Sequence, residues 1–140
     1  MSHTNAAFDA TVQATNAWVA DLAARLGWSD HHHAYMALRA VLHALRDRLS
    51  VEHVADLSAQ LPMLVRGFYY EGWHPAGKPL KDRKEDDFLE HVADNLRGAP
   101  DADPRQVTRA VFALLRQHVS HGEIESLRAT LPHELKLLWK

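Results

Sequence analysis

A chain of 140 residues, 46% hydrophobic and 24% charged, is long enough to bury about 68–70% of its unfolded surface, so it needs neither metal nor disulfide to fold and is neither disordered nor fibrous. The absence of cysteine removes disulfide scaffolds, thiolate nucleophiles and cysteine-based zinc or iron–sulfur sites. A formal charge of −2 at pH 7 supplies no net basic face for non-specific DNA binding, although eleven histidines make the charge sensitive to acidity near pH ~6.5.

Apolar residues recur at helical spacing and no stretch alternates long enough for a strand, which predicts an all-α fold. The first helix is expected over about Asn5–Leu26, with Phe8, Val12, Val19, Leu22 and Leu26 on its core stripe and Gly27 as its stop. Ser29 or Asp30 then caps a second helix, whose stripe is Leu38, Val41, Leu42, Leu45 and Leu49. Ser50 caps a short third helix with Val54, Leu57 and Leu61, and Pro62 fits the first turn of a fourth that ends near Gly72. His74 to Lys84, with Pro75, Gly77 and Pro79, reads as an exposed connector.

The second half repeats this order. Asp86 and Asp87 precede Phe88, Val92 and Leu96, and Gly98-Ala99-Pro100 breaks the chain. A further helix carries Val107, Val111, Leu114, Leu115 and Val119. Ser120 with Glu123 reads as a capping box before Ile124, Leu127 and Leu131, and Pro132 starts the last turns through Leu135, Leu138 and Trp139. An offset of 70 aligns the halves without a gap, and eight of the 22 positions from Val41 to Pro62 are identical. That pattern predicts one domain, an internally duplicated bundle of two pseudo-two-fold related repeats with about four helices each: repeat one 5–73, connector 74–84, repeat two 85–140.

Met1 to Asp9 lack the basic and apolar regions of a secretory signal, and no apolar run approaches the ~20 residues that span a bilayer. A cytoplasmic protein without a membrane span is therefore expected.

The candidate chemistry is sparse. A metal site needs ligands converging on one face; His31, His32 and His33 are consecutive and point about 100° apart on a helix, so His118, His121 and Glu125 form the better set, followed by Asp87 with His91. Solvated histidines at helix ends are the simpler reading. The run Glu85-Asp86-Asp87 could pair carboxylates for acid–base work, but at a helix start it is more simply stabilised by the helix dipole. No GxSxG elbow, HExxH motif or glycine-rich phosphate loop occurs, so no enzyme and no cofactor is indicated. Arg46 and Arg116, like Arg39 and Arg109, stand 70 residues apart and suit an anion site, or else tie their helices to carboxylates within their own repeats. Tyr69, Tyr70 and Trp73 precede Lys78, Lys81, Arg83 and Lys84, an arrangement able to stack nucleic-acid bases or, more simply, to seal the end of the bundle.

The carriers of a family resemblance are Ala40-Val41-Leu42 with Leu45-Arg46, Leu61-Pro62, Tyr69-Tyr70-Glu71-Gly72-Trp73 with Pro75, and Asp87-Phe88-Leu89 with Val92-Ala93. Ala110-Val111, Leu115-Arg116 and Leu131-Pro132 complete the set. In these the chain resembles the bacterial family catalogued as domain of unknown function 2267, which implies a soluble bacterial helical domain and assigns no catalytic residue. The leading expectation is a non-catalytic cytoplasmic interaction module that binds a protein partner or itself. A metal-binding protein using clustered histidines is the alternative, and a nucleic-acid-binding domain a weaker one.

Overall fold

The structure, a computed structural model, describes residues 5–97 and 101–140; the expected break at Gly98-Ala99-Pro100 lies outside them. Among the described residues there are eight α-helices, α1 (Ala6–Leu26), α2 (His31–Arg48), α3 (Val51–Ser58), α4 (Met63–Tyr70), α5 (Glu85–Asn95), α6 (Pro104–His118), α7 (His121–Ala129) and α8 (His133–Lys136), and a closing 3-10 turn (Leu137–Trp139), with no strand.

Local chemistry places most helix ends. Asn5 Oδ1 accepts the Ala7 N–H at 2.8 Å to open α1, and Gly27 closes it at φ 71°, where the Trp28 N–H reaches back to the Ala23 carbonyl at 2.9 Å. Asp30, rather than Ser29, caps α2 by accepting the His32 and His33 N–H groups, and these bonds hold its carboxyl below the usual range. Ser50 and Ser120 cap α3 and α7 through the N–H of His53 and Glu123. Pro62 lies one residue earlier than expected, at the N-cap of α4. Glu85, Asp86 and Asp87 fill the first turn of α5, and Glu134 Oε1, from α8, accepts the Glu85 N–H at 3.0 Å.

One buried cluster runs through every element. At its centre α2 packs against α1, α4, α5 and α6, burying Leu38, Val41, Leu42 and Leu45 together with Ala34, Ala37, Ala40 and Ala44, whose small side chains let the neighbouring helices approach closely. On α6, Val107, Val111, Leu114 and Leu115 are equally buried, and Phe112 stacks on Trp139 with ring centroids 3.9 Å apart.

The core stripe of α1 is shorter than its periodicity predicts. It runs through Thr15, Trp18, Val19, Leu22, Ala23 and Leu26, whereas Phe8 and Val12 are 57% and 44% exposed. Among the described residues, the hydrogen bond to another element nearest the start of α1 is the Leu64 N–H donating to Thr11 Oγ1 at 3.0 Å, and the exposed Phe8 and Val12 on either side of Thr11 show the first turns of α1 overrunning the body on which it packs.

Candidate functional site

The arginine and aromatic residues singled out by spacing are committed to the fold. Arg46 is 5% exposed, and its Nη1 donates to the carbonyls of Tyr69 at 2.6 Å and Glu71 at 2.7 Å, while its Nε reaches Asp47 at 3.2 Å. It thereby satisfies the orphan carbonyls at the end of α4. Its partners are chiefly carbonyls, not the carboxylate expected from the sequence. Arg116, which is exposed, does the same for Trp139 with its Nη1. Arg39 pairs with Glu71 at 2.6 Å, a bond that lowers the carboxyl's proton affinity, and Arg109 donates to the Lys140 carbonyl. Tyr69 is buried with its hydroxyl on the Val54 carbonyl at 3.0 Å, and burial pushes its phenol well above the ordinary range. Tyr70 donates to Ser58 Oγ and lies between the rings of Tyr69 and Trp73. These three aromatics close the end of the first half of the chain.

His118, His121 and Glu125 are not brought together as a ligand set. The i, i+3 spacing that suggested a shared face is broken, because His118 ends α6 and His121 begins α7 across the extended Val119 and Ser120. His118 stacks on Trp18 and its Nε2 lies 3.3 Å from Asp21, while Glu125 accepts from Arg128 at 3.1 Å. His121 and Glu125 do share a small crevice with Arg116. His91 turns from Asp87 to Asp82, 2.7 Å away, and among the described residues no three acidic or histidine side chains are placed to hold a metal ion.

Sequence reasoning missed an apolar groove on the surface. Between α1, α2 and α4 lies a groove of about 560 Å³ walled by Val19, Tyr35, Leu64 and Phe68, with Gly67 at its side and Asn16, His31, His32 and Glu71 on its rim. Leu64 continues it onto an exposed ridge of Phe8 and Val12 from α1 and Met63 from α4; Met63 and Leu64 are 58% and 48% exposed. Phe8, Val12, Thr15 and Val19 follow each other at i, i+4, i+7 and i+11, so ridge and groove lie along one stripe of α1. One signal was available. Phe8 and Val12 stand opposite Lys78 and Asp82 at offset 70, in the connector, so the ridge has no counterpart in the second half's core.

Beneath this groove, His43 is buried with Nε2 2.7 Å from the Phe68 carbonyl. Desolvation lowers its proton affinity, outweighing the Phe68 bond, with Arg46 and Arg39 adding to the effect. The unfolded chain therefore takes up a proton below about pH 6.5 that the native state resists, so this site's contribution to stability is full above that pH and declines as pH falls. Urea denaturation of the wild type and His43→Gln between about pH 7.5 and pH 5.5 should show wild-type stability falling more steeply; parallel profiles would refute this account of His43.

No helix among the described residues is long and apolar enough to cross a membrane. No curated protein matches the chain. The family described as uncharacterized conserved protein (DUF2267) matches residues 15–138, from the buried part of α1 to the closing turn, and the chain belongs to that family.

Proposed function

We propose that this protein is a non-catalytic cytoplasmic interaction module that associates with a second copy of itself through the α1–α4 face. The observation that carries the reading is the exposed ridge of Phe8, Val12 and Met63 running directly into the apolar groove at Leu64 and Phe68. Exposed apolar surface joined to a groove is the signature of helix-in-groove recognition. The chain carries a suitable occupant in α1, whose first turns are amphipathic with their apolar side in solvent. Ridge and groove are separated along α1 by about 16 Å from Phe8 to Val19. An antiparallel pairing of two α1 helices would then set each ridge into the other's groove, a closed two-fold contact.

The wider architecture reads as an internal duplication. Its support is that elements and bonds recur 70 residues apart: α2, α3 and α4 correspond in order to α6, α7 and α8 with its closing turn. Arg46 on the Tyr69 carbonyl matches Arg116 on that of Trp139, and the Ser50 cap matches that of Ser120. The halves differ where the interaction face lies. Leu64, in the groove, corresponds to Glu134, whose carboxylate caps α5.

Light scattering across low to high micromolar concentrations should give a mass rising from monomer to dimer. Val12→Asp and Leu64→Asp should each return it to monomer with unaltered thermal melting, because both sites are solvent-exposed in a single copy. A wild type that stays monomeric throughout, or a dimer indifferent to both substitutions, would overturn the reading.

A further inference from the structure

The connector supplies a second surface that shares no lining residue with the α1–α4 groove. Between the end of α2 and the loop after α4, Arg48, Lys78, Lys81 and Arg83 line a crevice of about 680 Å³ floored by Pro79 and Leu80, a size within the range of small-molecule sites. The loop is fixed by its own bonds. The Leu80 N–H donates to the Asp47 carbonyl at 2.8 Å, the Lys78 N–H to the Pro75 carbonyl at 3.0 Å across a turn with Gly77 at φ 78°, and Arg48 Nε to the Asp82 carbonyl at 2.8 Å.

Four cations face this crevice with a single carboxylate, Asp82, among them, in a protein whose formal charge is −2. Asp82 is the sole acidic residue between His74 and Lys84, and its carboxylate is engaged by His91 at 2.7 Å. Among the described residues no ion pair uses Arg48, Lys78, Lys81 or Arg83. Burial and the neighbouring Arg83 both weaken Arg48's hold on its proton, and together they outweigh the opposing pull of the one nearby carboxylate, Asp82. An anion between them would relieve that repulsion, and guanidinium forks match phosphate oxygens in pairs.

The geometry points to a binding site for a phosphate-bearing small molecule in this crevice, its phosphates held by Arg48, Lys78, Lys81 and Arg83 and its body resting on Pro79 and Leu80. Nucleic acid is less favoured, because the overall charge is negative and Tyr69, Tyr70 and Trp73 are packed into the fold.

The test is calorimetric titration of the full chain with pyrophosphate at low ionic strength. Saturable binding of one equivalent is expected. The exposed pair Lys81→Ala with Arg83→Ala should weaken it at least tenfold at unchanged thermal melting, and Arg48→Lys should weaken it while keeping the charge. Three results would overturn the assignment: no saturable binding by the folded wild type, equal binding by the double variant, or salt-sensitive binding of a single-stranded oligonucleotide without binding of pyrophosphate.

Discussion

Truncating Leu45 or Leu115 to alanine is expected to cost roughly 2–5 kcal/mol in either case, the range for a buried leucine whose surroundings relax only in part. Both side chains are completely buried, on the inner faces of α2 and α6, and both belong to the one cluster that links every element. They are 70 residues apart, so the pair also tests whether the two halves contribute comparably to a shared core. Urea unfolding of each variant, with the slope compared to wild type, measures the cost. A loss below about half a kcal/mol at either position is what a surface site would give and would sink the matched-core account. A single cooperative transition in both variants is the further expectation, because α2 and α6 pack directly on each other.

What the sequence made legible is what depends on neighbours in the chain. The caps at Ser50 and Ser120, the stop at Gly27 and the buried stripe from Leu38 to Leu49 are set by side chains within a turn or two of the feature they determine. The features it hid depend on distant partners. Periodicity assigns Phe8 and Val12 to the same stripe as Leu22, but it carries no information on where the body that α1 packs against comes to an end. The capping box at Ser120 shows the same limit. Its backbone N–H goes to Gln60 Oε1 at 2.8 Å, from the other half of the chain, leaving Glu123 with a carboxylate oxygen that has no partner among the described residues and a proton affinity raised by desolvation.

The candidate residues divide in the same way. Arg46 and Arg116 could be found from the 70-residue offset, but their actual acceptors, the terminal carbonyls of α4 and the closing turn, lie 23 residues further along the chain in both cases. The histidine set failed because helical spacing was counted across Val119 and Ser120, where the backbone is extended. The groove joins three helices, so no single window of sequence contains it.

Arg46 and Arg116 make equivalent bonds in very different surroundings, and this predicts unequal losses. Arg46, only 5% exposed, bonds two carbonyls and Asp47, and Arg46→Ala leaves the buried Tyr69 carbonyl without solvent to take over while Glu71 and Asp47 are only partly reached by water. Bonds to charged groups contribute about 1.5–3 kcal/mol, so a loss of roughly 2–4 kcal/mol is expected. Arg116 is exposed and its bond to the Trp139 carbonyl is only part-buried, so water can reach that carbonyl once the guanidinium is gone, and Arg116→Ala should cost less than about 1 kcal/mol. Arg46→Lys separates charge from geometry. Its single ammonium group lacks the planar fork that spans Tyr69, Glu71 and Asp47, so it should recover only part of the loss. Full recovery by lysine, or equal costs at positions 46 and 116 in urea denaturation, would show that burial does not set the strength of this bond.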